Sequence, residues 1–125
     1  MKLESCVDEL LVRGEDDWVH AAEVAEVAQS IGGARTDADI QELSIDLVRE
    51  VVERGLMKIG DVTEDGFQEW RAPLTDAVVR VKDEWTELGR RPNLGEIFWL
   101  ANTEKGDDRA HRIRRNSSKV RPDVG

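Results

Sequence analysis

Between residues 37 and 54 the apolar positions Ile40, Leu43, Leu47, Val48, Val51 and Val52 recur every three or four residues, led by Thr36-Asp37 and closed by Gly55. That is the stripe of a capped amphipathic helix, with Thr36 or Asp37 at its N-cap and the glycine at C′. The chain passes from it directly into a strand over 56–62 and a turn over 61–66. The same helix bears six acids, Asp37, Asp39, Glu42, Asp46, Glu50 and Glu53, against two bases, Arg49 and Arg54. Stripe and charge together restrict both the fold and its use.

Upstream, Leu3, Cys6, Val7, Leu10 and Leu11 share one face and predict a helix over 2–13, stopped by Gly14. Glu15-Asp16-Asp17 is a polar connection, and Trp18-Val19 suits one short strand. A second helix follows over about 21–31, with Val24, Val27, Ala28 and Ile31 inward, Asp17 or His20 as cap, and Gly32-Gly33 as its end. A returning strand is found in 96–102, around Ile97, Phe98, Trp99 and Leu100. The fold class is therefore α+β, mostly α. The order is that of a winged helix-turn-helix-like core, three helices and a small antiparallel wing. Pro73, then Val78, Val81, Trp85 and Leu88, then Gly89, add an extra helix at about 75–88, inserted between the wing strands. Residues 1–106 form this domain. Residues 107–125 are basic and lack apolar period, which predicts a disordered or loosely helical tail.

A helix that reads DNA needs Lys and Arg to neutralise phosphates, and six acids on it would repel the groove. The rest of the chain agrees. The net charge of −9 divides into −12 over residues 1–106 and +3 over residues 107–125. An acidic body attracts basic proteins and disfavours nucleic acid and anionic lipid.

Signals for catalysis are missing. Cys6, the one cysteine, lies on an apolar stripe and excludes an internal disulfide. His20 and His111 are too differently placed to form a ligand cluster, and no nucleophile, metal or phosphate-loop motif occurs. Asp61, Thr63, Asp65 and Gly66 open like a calcium loop, but its twelfth position, where a bidentate Glu is required, is Ala72. A non-enzymatic protein without cofactor or metal is expected. With no apolar run of about 18 residues and no hydrophobic leader, it is expected to be a soluble, cytoplasmic protein, favoured as a monomer.

Four tryptophans with no tyrosine direct attention to interfaces. Trp85 and Trp99 fit core stripes, while Trp18 is open to either use. Phe67 and Trp70 fall in a loop among acids. They either fasten the elaborated wing to the core or anchor a partner inside a polar rim. The candidate partner-binding set is Glu15, Asp16 and Asp17 together with Asp61, Glu64, Asp65, Phe67, Glu69 and Trp70. Arg109, Arg112, Arg114 and Arg115 form the one basic patch. They either touch phosphates or fold back on the acidic body.

Segments 53–62 (ERGLMKIGDV), 66–70 (GFQEW), 84–89 (EWTELG) and 92–106 (PNLGEIFWLANTEKG) carry a resemblance. From about residue 17 to residue 106 the chain resembles small acidic actinobacterial proteins with a winged-helix-like core. Proteins of that look are found as immunity proteins of polymorphic or contact-dependent toxin systems. The resemblance implies a cytoplasmic module that binds a basic toxin domain and masks its active cleft. The alternative is a winged-helix transcriptional regulator whose arginine tail supplies the phosphate contacts.

Overall fold

The computed structural model describes residues 2–120, with side chains through residue 116. Its elements are α1 (Lys2–Asp16), β1 (Val19–His20), α2 (Ala21–Ser30), α3 (Asp37–Glu53), β2 (Met57–Thr63), β3 (Gly66–Glu69), α4 (Leu74–Leu88), β4 (Trp99–Asn102) and α5 (Glu104–Val120). Five helices and one four-stranded antiparallel sheet make an α+β fold, mostly helical. No helix among the described residues is long and apolar enough to cross a membrane.

The sheet runs β1–β4–β2–β3. Leu100 is the register partner of both Val19 and Ile59, and Trp99 that of both His20 and Gly60. Because strand residues alternate faces, Val19, Leu100 and Ile59 share one side, where all three are buried under the helices. The core continues into Val7, Leu10 and Leu11 of α1, Val24 and Val27 of α2, and Ile40, Leu47 and Val48 of α3. Thr36 caps α3, accepting a hydrogen bond from the Asp39 N–H at 3.0 Å, and Gly55 follows its end.

Several expectations needed correction. Helix α1 does not stop at Gly14 but runs on to Asp16. Gly14 is there for close packing: a Cβ on it would stand 2.2 Å from Asn102 Oδ1. Asn102 meanwhile donates to the Leu11 carbonyl at 2.9 Å, which ties β4 to the same helix. The first strand is Val19–His20 rather than Trp18-Val19. His20 holds the N-cap position of α2 without making a side-chain cap bond. The returning strand begins only at Trp99, because Ile97 stands at φ 71°, a left-handed conformation that ends pairing upstream.

The largest differences lie after β2 and at the C-terminal end. Phe67 is not in a loop. It belongs to β3, which pairs with β2 as a hairpin (Val62 with Phe67, Thr63 with Gly66) around the two-residue turn Glu64-Asp65. The insertion between β2 and the returning strand is therefore a strand plus α4. Of the two expectations for the segment from residue 107, disordered or loosely helical, the described part is helical: α5 runs through Val120, and residues 121–125 lie outside the described residues. It packs on α1 because Gly106 and Ala110 lie buried on one face, with half-buried Ile113 continuing the same face. A helix with so little apolar surface gives a weak periodic signal, which is why composition alone suggested disorder.

Candidate functional site

The face of the sheet turned away from the helices is the least covered part of the molecule's centre. Alternation places Trp18, His20, Lys58, Gly60, Val62, Phe67, Glu69, Trp99 and Ala101 on that side. Trp18 is 39% exposed, Phe67, Val62, Trp99 and Ala101 are half-buried, and Lys58 and Glu69 are exposed. His20 stacks edge-on against Trp99 with centroids 5.2 Å apart, and Trp18 meets Phe67 at 6.4 Å. Gly60 is what allows this closeness. A Cβ there would lie 2.1 Å from the Gln68 carbonyl oxygen, so the two hairpin backbones approach as only glycine permits. Trp18 Cη2 reaches within 3.9 Å of where a Cβ of Gly66 would stand, bringing the indole beside the hairpin turn.

The hairpin itself is wholly acidic. Residues 59–70 hold Asp61, Glu64, Asp65 and Glu69 and no Lys, Arg or His. None of the four makes an ion pair with a described residue, in contrast to the acids of α1. The structure thus brings Phe67 and the Glu64-Asp65 turn beside Trp18, whose backbone N–H donates to the Asp17 carboxylate at 2.8 Å, while Glu69 shares the face in register with Gly60. Asp61 falls on the opposite face of its strand, paired in register with Gln68.

Trp70 goes elsewhere. Its ring packs against the core, and the Arg80 guanidinium of α4 lies 3.8 Å above it while bonding Glu84 at 2.7 Å. This is a fastening role, tying the end of the hairpin to the core and to α4. Trp99 departs from its expected place in the core: Phe98 and Leu100 are the buried neighbours, and Trp99 turns outward. Trp85 is buried as anticipated.

Glu15 and Asp16 are engaged within the molecule. Arg114 of α5 reaches Glu15 at 2.8 Å and Asp16 at 3.0 Å, and His111 also contacts Glu15, leaving that side chain 15% exposed. Farther along the seam Arg109 binds Asp8 at 2.9 Å and also Glu4, which Arg54 holds at 2.5 Å. The Arg54 hydrogen bond, with Arg109 adding to it, outweighs the cost of burial and keeps the Glu4 carboxyl below its ordinary range. Two of the four tail arginines are therefore spent on the protein's own acids. Arg112 and Arg115 are exposed.

The third surface is α3. Helix α4 lies alongside it, with Ile45 and Val78 buried between them and Gln41 donating to Thr86 at 3.1 Å. The charged side chains α3 still presents to solvent are Asp37, Asp39, Glu42, Asp46 and Glu53, with Arg49 bound to Asp46 at 3.1 Å. Among the described residues no group of three or more His, Cys, Asp and Glu is arranged to hold a metal ion. The Cys6 thiol is fully buried against the Val27 carbonyl, and burial pushes its pKa up, away from thiolate reactivity.

Sequence reasoning found Phe67 and the hairpin acids but missed Trp18, His20 and Trp99 as their neighbours. The signal would have been strand register, since parity across β1, β4 and β2 puts these side chains in adjoining rows. No family model matches the chain, and no curated protein or solved structure does.

Proposed function

We propose that this chain is a winged-helix scaffold turned from DNA to protein: a non-enzymatic, acidic binding module, most concretely an immunity protein that neutralises a toxin by masking its cationic cleft. The topology supports the scaffold. A strand follows α1, two helices follow it, and β4 inserts between β1 and β2 as a returning wing strand does. By position α3 is the helix that would enter a major groove, and β2–β3 begins the wing.

The observation that carries the reading is that each surface such a scaffold uses on DNA is acidic or occupied here. The exposed side of α3 is carboxylate-rich and flanked by α4, the hairpin has four acids and no base, and Arg109 and Arg114 are paired internally. Such a surface excludes phosphate and steers a basic protein toward itself. The partner-binding set then centres on Asp17, Glu64, Asp65, Phe67 and Glu69, with Asp61 on the hairpin's other face and Glu15, Asp16 and Trp70 serving the scaffold.

Exposed Arg112 and Arg115 favour the second reading, a DNA-binding regulator that works through α5. Affinity capture with the full chain from nuclease-treated lysate, beside a titration with mixed-sequence duplex DNA at low salt, separates the two. A stoichiometric basic protein without DNA affinity is the expected result. Duplex binding that disappears with Arg112→Ala and Arg115→Ala, and no protein retained, would replace the module with the regulator.

A further inference from the structure

We propose that the open face of the sheet docks an arginine-bearing segment of the basic partner, with one guanidinium stacked on the outward ring of Trp18 and paired to the carboxylates of the β2–β3 turn. This rests on the binding-module reading and adds to it a surface, an anchor residue and the chemistry of the guest.

The molecule already contains the arrangement once in complete form. On its α4 side an indole (Trp70), a guanidinium (Arg80) and a carboxylate (Glu84) are assembled, with the cation 3.8 Å over the ring and 2.7 Å from the acid. On the open face an indole and carboxylates recur without a guanidinium. The Trp18 indole is 39% exposed and lies beside the Glu64-Asp65 turn, Phe67 backs it at 6.4 Å, and Asp17 precedes it in the chain. None of Asp17, Glu64, Asp65 and Glu69 has an ion-pair partner among the described residues, whereas the α1 acids are met by Arg54, Arg109 and Arg114. Lys58, the cation of this face, makes neither an ion pair nor a ring contact with a described residue.

Charge and shape select the guest. A half-covered aromatic surface beside a turn whose carboxylates have no ion-pair partner among the described residues attracts a cation whose body is flat and weakly hydrated. Guanidinium satisfies both requirements, since it stacks on an indole and still directs its N–H groups to carboxylates in the ring plane. An ammonium can answer the charge but not the stacking. Aromatic residues inside a polar rim are also where binding energy concentrates at interfaces. A second copy of this chain would bring an acidic hairpin to an acidic hairpin, which like-charge repulsion opposes.

The test uses isotopically labelled full-length protein titrated with an octa-arginine peptide and, separately, an octa-lysine peptide, at an ionic strength of about 0.15 M. The expected result is movement of the Trp18 indole signal and of the amides of Glu64, Asp65 and Phe67, with the buried Trp85 indole unmoved. Octa-arginine should bind at least several-fold more tightly than octa-lysine. Trp18→Leu should weaken it about tenfold, as should the exposed pair Glu64→Gln with Asp65→Asn, whose fold is not at risk. Equal binding of the two peptides that ignores Trp18→Leu, shifts centred on Asp39, Glu42 and Asp46 of α3, or no binding of either peptide would each overturn the proposal. A captured partner insensitive to Trp18→Leu would remove this face while leaving the module standing. Absence of any basic partner would instead remove the module itself.

Discussion

Gly60 is the residue on which the hairpin's shape depends most directly. A methyl group there would press to 2.1 Å from the Gln68 carbonyl, so backbone must move. Gly60→Ala is expected to destabilise the protein by about 1–3 kcal/mol, the usual cost of overpacking, and to separate Trp18 from Phe67. Urea unfolding gives the first quantity and the exposure of Trp18 to a fluorescence quencher the second. Glu96 offers a test by pH. The Arg90 fork binds both of its oxygens at 2.8 and 2.9 Å and the Asn93 N–H binds one at 2.6 Å, which lowers the carboxyl pKa to about 2. A depressed pKa means the folded state binds this proton less readily than the unfolded chain. Its stabilisation is thus complete above about 4.5 and is lost as pH falls through about 2. Carboxyl chemical shifts should show Glu96 still ionised at pH 3, and Arg90→Ala should return its titration toward the ordinary range. Cys6, buried with a raised pKa, should react with a thiol reagent only as fast as the protein opens, so its labelling rate should rise with denaturant.

Among the elements, α5 is held by charge more than by apolar area. Its inward residues are small, and Arg109 and Arg114 link it to Glu4, Asp8, Glu15 and Asp16. Arg109→Ala should cost about 1 kcal/mol, because these partly exposed pairs form a network but are screened by water. Raising salt should shrink that difference and speed hydrogen exchange in α5 before the rest of the molecule. These interactions explain what could be read in advance. Helices α2, α3 and α4 were legible because their apolar stripes and the residues that bound them (Gly32-Gly33, Thr36 and Gly55, Pro73 and Gly89) are local signals. Strand β3 was not, since Gly66-Phe67-Gln68-Glu69 has little alternation, and only its pairing along β2, from Gly60 to Thr63, makes it a strand. Helix α5 was not legible as a packed helix because what orders it is distant in sequence: acids of α1 about a hundred positions away. The candidate site was half legible. Its acids cluster in the chain, but the aromatic side of it is assembled from three strands.

At the scale of the whole molecule, the asymmetry of charge is largely internal. The basic C-terminal helix neutralises the α1 side, whereas the hairpin acids, Asp37, Asp39, Glu42 and Glu53 of α3, and Asp76, Asp83 and Glu87 of α4 have no ion-pair partner among the described residues. On the hairpin no base offsets the four acids, so its local field attracts cations. Reversing the hairpin with Glu64→Lys, Asp65→Lys and Glu69→Lys changes exposed residues only, so the fold should survive while the field inverts. The decisive measurement is therefore a side-by-side capture from nuclease-treated lysate, at physiological salt, by the wild-type chain and by this triple variant. One basic protein held stoichiometrically by the wild type and released by the variant is the expected result. A partner held equally by both, or none with duplex DNA retained in its place, would contradict it.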